Sequence, residues 1–279
     1  MTDRVAYLEA KRTLDDRALN GAVLSAAFDP LPAAPVVLEV GAGTATMAER
    51  LYDWGVVRAG EWIAVDSHAP SLDRGRSRLL ARPDAVAIED GVALGDLSIR
   101  LVEADAFEYA SGRSIDHPEA PGTAVDGQAP PADLLVGCAF FDLVDADRLS
   151  TFEAVASRLY APITYDGTTA FEPGDPDDSA VLAAYHAHMA VFRPGSATGA
   201  RALSDVLSTV ECTGPSPWVV EPPYEPGEAR VVDHLLGTIE SAVATVGEDA
   251  SAWVGRRRAQ LAASELRYRA ENVDVLGRL

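Results

Sequence analysis

Glu39, Asp66 and Asp105 stand at or near the carboxyl ends of three short apolar runs, 36–40, 62–65 and 97–102. Runs of this kind read as buried parallel strands. Gly41 and Gly43 follow the first run. Thr44 then caps a helix expected over 45–54, with Met47, Ala48 and Leu51 on its inner face and Gly55 as its stop. In an open α/β sheet, ligands bind at such a strand–turn–helix edge. Glycine there lets the backbone approach a ligand that a Cβ would push away. Asp66 lies 23 residues beyond Gly43, one strand–helix unit later. That position suits a carboxylate accepting hydrogen bonds from both ribose hydroxyls.

The turn is not a phosphate cradle. No Lys-Ser/Thr pair follows Gly43, and Thr46 stands where a dinucleotide fingerprint needs its third glycine. Glu39 would repel phosphate; it suits a cationic ligand, such as the amino group and sulfonium of S-adenosylmethionine. The segment Glu39-Val40-Gly41-Ala42-Gly43-Thr44-Ala45 resembles the first motif of class I S-adenosylmethionine-dependent methyltransferases, with Ala45 in place of the last glycine. The resemblance implies a Rossmann-like seven-stranded sheet with helices on both faces. It implies cofactor contacts from Glu39, Gly41, Ala42, Gly43 and Thr44, and from Asp66 and Ser67 on the adenosine side. Asp105-Ala106-Phe107 resembles the family's third motif, where an acid and the next amide hold adenine. The run from Asp133 resembles the fourth, which places Cys138 and its neighbours beside the methyl group. Neither the D/N-P-P-Y/F motif of base-methylating relatives nor their Pro-Cys pair is present, so Cys138 reads as a small lining residue. The chain is also similar to a loosely described group of prokaryotic small-molecule-type methyltransferases, on residues 14–20, 141–144, 165–167 and 216–218.

The elements that must position these residues follow from the rest of the chain. Its 279 residues fit one large domain with appendages. We expect a helical cap over 1–30, the cofactor-binding domain over 31–222, and C-terminal helices over 223–279, packed on the same domain and read as 229–246 and 250–273. The cap reads as one helix over 5–28 that covers the sheet edge, with Arg17 or Asn20 reaching the ligand's carboxylate. Arg74, Arg76 and Arg78 read as a solvated face of a helix over 71–80. A loop insertion spans 111–131 and contains Asp116 and His117. Further helices are expected over 151–159 and 199–210. Strand five, over 161–167, ends in a turn at Asp166-Gly167, which puts Tyr165 and Asp166 at the acceptor wall. The helix beginning at Asp175-Pro176 carries His188 on its apolar face, and His186 points away from it. Trp218 reads as a pocket floor or a core residue, and Arg256-Arg257-Arg258 as a solvated face.

The net charge is −20, the pI is about 4.5, and Lys11 is the only lysine. Acid excess with arginine for lysine suggests adaptation to high salt and disfavours nucleic acid or anionic membrane as partners. Two cysteines are too few for a disulfide framework or zinc cluster. With no leader-like or membrane-spanning run, a cytoplasmic protein is expected. The expected activity is methyl transfer from S-adenosylmethionine to an oxygen, nitrogen or carbon nucleophile of a small molecule, without a metal. Tyr165, Asp166 and His188 are the candidates for acceptor contact or proton removal. A nicotinamide-type oxidoreductase on the same sheet remains an alternative, as does a non-catalytic S-adenosylmethionine-binding protein.

Overall fold

The computed structural model describes residues 3–112, 131–192 and 199–279. Three short helices, α1 (Asp3–Ala10), α2 (Arg12–Ala18) and α3 (Gly21–Phe28), precede the sheet. The expected single helix is thus broken twice. The second break is at Asn20, whose side chain accepts from the amides of Ala22 and Val23 and restarts the chain as a new helix. β1 (Val36–Val40), α4 (Thr46–Asp53), β2 (Ala59–Asp66), α5 (Ala69–Leu80), the hairpin β3 (Ala85–Ile88) and β4 (Gly91–Leu94), β5 (Asp96–Glu103) and α6 (Ala106–Ala110) follow. Then come β6 (Leu134–Val136), two 3-10 segments at Phe141–Leu143 and Ala146–Ala154, and β7 (Arg158–Glu172). α7 (Asp178–Phe192), α8 (Gly199–Val206), β8 (Thr209–Pro215), β9 (Trp218–Val220), α9 (Glu228–Thr245), α10 (Ser251–Ala262) and β10 (Arg267–Arg278) complete the chain.

The strand order β5-β2-β1-β6-β7-β10-β8 is the expected seven-stranded sheet. Neighbours from β5 to β7 pair in parallel, and β10 runs antiparallel between β7 and β8. The β3–β4 hairpin extends the β5 edge, and β9 pairs with β10. Chain direction across the sheet reverses between β1 and β6, a switch point where open sheets bind ligands. Successive strand residues face opposite cores. Val37, Trp62 and Ile99 pack with α3 and α4, while Leu38, Ile63 and Leu135 pack with α6, α8 and Phe152.

A third core lies beyond the parallel strands. β7 has fifteen residues and β10 twelve, against three in β6, so both run past the sheet. Their extensions, with β9, carry Phe171, Trp218, Tyr268 and Ala270 into a cluster with α2, α7, α9 and α10. Residues 267–273, expected to be helix, are therefore strand. The alternation of buried Tyr268, Ala270 and Asn272 with Arg267, Arg269 and Glu271 is a two-residue period that the helical reading overrode. Residues 151–159, also expected to be helix, divide between a 3-10 segment and the start of β7.

Two arginine assignments change. Arg78, expected to be solvated, is largely buried and bonds Glu9, Glu49 and the carbonyl of Thr44. With Arg12 on Glu49 and Arg74 on Glu9, it ties the cap to α4 and α5. Arg257 is fully buried; it donates to the Pro173 carbonyl and pairs with Asp178, while Arg256 and Arg258 stay exposed against acids. Asp116 and His117 fall outside the described residues.

Candidate functional site

The ends of β1, β2 and β5 open into one cavity of about 760 Å³, a size typical of small-molecule sites. Glu39, the 41–44 turn, Asp66, Ser67, Asp105, Ala106, Phe107 and Cys138 all line it. Sequence order became spatial convergence because parallel strands present their carboxyl ends on one side.

Burial sets the state of Glu39. Its carboxyl is pushed up to about 8, chiefly by desolvation, against the Trp62 indole N–H that donates to it at 2.7 Å and the more distant Arg50 charge. Asp66 has the opposite surroundings. Its Oδ2 accepts from the Gly43 amide at 2.8 Å, its Oδ1 from the His68 amide at 2.8 Å, and Arg4 lies 3.6 Å away. Asp66 thereby fixes the glycine turn as well as facing the cavity. The Ala42 amide donates to the Val65 carbonyl and the Ala45 amide to that of Ala42. Amides that would face a pyrophosphate are thus turned inward, and the turn is no anion nest.

Thr44 does not cap the helix. Ala45 takes that place in the left-handed region at φ 53°, and α4 starts at Thr46. Gly41, at φ 64°, is required for a reason the sequence did not show. A Cβ there would come within 2.4 Å of the Phe140 ring, so the aromatic after β6 seats directly on the turn. Asp105 is the N-cap of α6 and accepts from the Phe107 and Glu108 amides. The Phe107 ring packs on Phe152, with the Arg148 guanidinium 3.5 Å from its centroid. Cys138 is pushed up to about 12 by burial, which makes it no nucleophile.

The cavity continues past the switch point into an aromatic chamber formed by Tyr7 and Lys11 of the cap, Tyr165 of β7, Tyr185 of α7, Trp218 of β9 and Asn272 of β10. Lys11 pairs with Asp15 at 2.5 Å and lies 5.4 Å from the Trp218 ring centre. Burial opposes its charge, but Asp15 outweighs that together with smaller contributions from Cys138 and Tyr7, and the ammonium is held above its usual value. The Tyr165 hydroxyl bonds Thr169 Oγ1 at 2.8 Å and His186 Nε2 at 3.2 Å. Burial pushes the Tyr165 phenol up and His186 down, so both are neutral at pH 7.

Three expected contacts are not brought here, nor is Asn20, the alternative to Arg17, which caps α3 and donates to the Pro215 carbonyl. Arg17 pairs with Glu228, because the break at Leu19–Asn20 turns the end of α2 toward α9. Arg4, Tyr7, Leu8, Lys11 and Asp15 supply the cap's lining instead. Their spacing traces one helical face, and the sole lysine was a further signal. Asp166 is exposed and outside the cavity lining. Asp166-Gly167 forms a register break against β10 rather than a turn, with Gly167 at φ 97°, and β7 continues. His188 lies in a neighbouring pocket beside Thr245, while its helix neighbour His186, expected to point away, meets Tyr165. Among the described residues no group of acids, histidines and cysteines is arranged to hold a metal. None of the described helices is long and apolar enough to cross a membrane.

No protein-family model and no curated protein matches the chain. Solved structures resemble it at low identity. A candidate methyltransferase from Bacillus halodurans has a TM-score of 0.49 at 10% identity, covering 92% of this chain and 96% of its own. An S-adenosylmethionine-dependent methyltransferase from Geobacter sulfurreducens, with S-adenosylhomocysteine bound, has a TM-score of 0.44 at 13% identity, covering 94% and 93%. Another from Thiobacillus denitrificans, with the same ligand, has a TM-score of 0.41 at 15% identity, covering 94% and 93%. All lie below 0.5; the functional assignment therefore rests on strand order and site geometry.

Proposed function

We propose that the protein is a class I methyltransferase that moves the methyl group of S-adenosylmethionine to a small molecule held in the aromatic chamber. The observation that carries this is the meeting of Glu39, the 41–44 turn, Asp66 and Asp105 in one cavity that opens into the aromatic chamber. The donor set fits the cofactor. Glu39 is a buried carboxyl that gains its charge most easily beside a cation, and the Asp66 oxygens retain lone pairs for two hydroxyls. Asp105 and the Phe107 ring offer adenine an acid and an apolar face in the same cavity. The same acids and the inward-turned amides disfavour a dinucleotide's pyrophosphate.

The cofactor brings an activated methyl group, so the protein's main task is alignment. The acceptor's lone pair forms the new bond to the methyl carbon as the carbon–sulfur bond breaks, with the nucleophile opposite the sulfur. The chamber walls fix that approach, and the α1–α2 cap excludes water. Where the nucleophile carries a proton, the neutral Tyr165–His186 pair is the route for it: His186 can accept a proton relayed through the Tyr165 hydroxyl.

Calorimetric titration with S-adenosylhomocysteine and, separately, with NAD tests this reading. We expect micromolar or tighter binding of the first and none of the second; the reverse overturns it.

A further inference from the structure

The chamber retains buried polar atoms that the protein does not satisfy. Trp218 and Asn272 are more than nine-tenths buried, and neither Trp218 Nε1 nor Asn272 Nδ2 has a hydrogen-bond partner among the described residues. Asp15 is equally buried. Its Oδ2 is held by Lys11, but its Oδ1 has no partner. Leaving such groups dry costs about 1–3 kcal/mol each, and the three residues that carry them all line one cavity, which points to a ligand that completes them.

Their arrangement narrows the ligand. Trp218 stands opposite Ala270 across the β9–β10 pair, and Asn272 is two residues further along β10 on the same face. Same-face neighbours at that offset lie roughly 7–8 Å apart or less. Lys11, 5.4 Å from the Trp218 ring centre, brings Asp15 to the same patch. The patch therefore offers two neutral N–H donors and one acceptor, between the aromatic walls of Tyr7, Tyr185 and Tyr268. Charge narrows it again. Lys11 pairs with Asp15, and Arg50 and Asp142 of the same lining add one charge of each sign, so an anionic ligand would meet carboxylate oxygens and a cationic one the Lys11 ammonium.

We propose that the methyl acceptor is an uncharged aromatic compound with a lactam-type edge. Its ring carbonyl accepts from Trp218 Nε1 and Asn272 Nδ2, and the adjacent N–H donates to Asp15 Oδ1. This rests on the methyltransferase reading but concerns only the chamber. The amphipathic faces of Tyr and Trp suit a flat ring, and stacked or edge-to-face pairs add to its burial.

The test uses the full chain, with and without S-adenosylhomocysteine, titrated calorimetrically with four two-ring compounds. These are 2-quinolinone, which carries the edge; quinoline, which lacks the N–H; naphthalene-2-carboxylate, an anion; and naphthalen-2-ylmethanamine, a cation. We expect 2-quinolinone to bind at least tenfold tighter than each of the others. Trp218→Phe keeps the ring and removes the donor; Asn272→Leu keeps the volume. Each should weaken 2-quinolinone about fivefold, the worth of one neutral hydrogen bond, without changing S-adenosylhomocysteine affinity. That unchanged affinity shows the variant is folded. Tighter binding of either ion, no binding of 2-quinolinone to protein that binds S-adenosylhomocysteine, or wild-type affinity in both variants overturns the proposal. Loss of S-adenosylhomocysteine binding in the wild type, with 2-quinolinone still bound and still dependent on Trp218, overturns the methyltransferase reading and leaves the chamber's chemistry standing.

Discussion

The cavity has two halves made in different ways. Beneath the glycine turn, its polar groups come from neighbouring strand ends, and two of the three carboxylates hold the backbone: Asp66 on Gly43 and His68, Asp105 on Phe107 and Glu108, while Glu39 accepts from the Trp62 indole. In the chamber, Tyr7, Tyr165, Tyr185, Trp218 and Asn272 come from five elements spread over most of the chain, and the N–H groups of Trp218 Nε1 and Asn272 Nδ2 have no hydrogen-bond partner among the described residues. The first half carries its own scaffold in its binding groups. The second is assembled by packing and leaves its polar atoms for a ligand. Substitutions in the first half should therefore disturb fold and binding together, and those in the second should separate the two.

The largest effect is expected at Asp66. Asp66→Ala removes the acceptor of two backbone amides, which costs about 2–4 kcal/mol of stability. It should also lower S-adenosylhomocysteine affinity by a hundredfold or more, about 2.7 kcal/mol. Melting and calorimetry of the same sample would show both losses. A large loss of affinity with wild-type stability would break the comparison, because the turn would not need the carboxylate.

Glu39 comes next and sharpens the contrast, since its charge serves the ligand and not the fold. At pH 7 the free protein holds a proton on Glu39, which burial has pushed up to about 8, and a bound cation draws that proton off. Affinity for S-adenosylmethionine should rise about tenfold per pH unit up to roughly pH 8 and then level off. Binding at pH 7 should release close to one proton, seen as a dependence of the binding heat on the buffer. The folded chain keeps this proton between the ordinary value of 4.5 and about 8, while the unfolded chain has released it. Stability from this group therefore falls as pH rises through that window. Glu39→Gln should melt as high as the wild type near pH 4, melt higher at pH 6 and higher still at pH 8.5, and bind the cofactor at least tenfold more weakly. A pH-independent affinity would remove the cation from the argument.

Arg78→Met should have a smaller effect. It leaves Glu9 to Arg74 and Glu49 to Arg12 and Arg82, and detaches the Thr44 carbonyl, at a cost of about 2–3 kcal/mol. Because the ion pairs tie the cap to α5, cofactor affinity should fall by less than tenfold while protease cleavage within residues 3–18 accelerates. An unchanged cleavage rate would show that packing alone holds the cap.

How much could be seen in the sequence follows the same division. Glu39, the 41–44 turn, Asp66 and Asp105 were legible because local chemistry fixes them: an apolar run, a turn only glycine can make, and an acid one strand–helix unit on. The seven-stranded sheet was implied by the resemblance to the methyltransferase family, since the alternation itself covered only the parallel strands. The chamber was not legible in the same way, because its residues meet only once β10 inserts between β7 and β8, and that strand was read as helix. The sequence did contain its two-residue alternation from Tyr268 to Asn272, but the apolar residues there also fit a helix. His186 was set aside on helical phase, yet the partner that matters, Tyr165, lies on a strand 21 residues away. Arg78 was assigned to solvent because nothing local shows that Glu9 and Glu49 would meet it.

The smallest effects, near zero, are expected at Asp166 and His188, and they bear on the edge of the chamber. Asp166 stands on the β7 extension beside Tyr165, but successive strand residues point to opposite faces, and the register break at Gly167 keeps its carboxylate outside the cavity. Its carboxyl is raised only by partial burial and by Glu271 on the neighbouring strand, not by anything in the site. His188 faces Thr245 across the α7–α9 contact. Asp166→Asn and His188→Gln should each leave stability within about 0.5 kcal/mol and leave cofactor and 2-quinolinone affinities unchanged, whereas Tyr165→Phe, one residue from Asp166, should keep cofactor affinity and weaken the chamber ligand or its methylation. If Asp166→Asn lowered methyl transfer as much as Tyr165→Phe, the bulge would have to turn its carboxylate inward when ligand binds, and the chamber's wall would be a moving one.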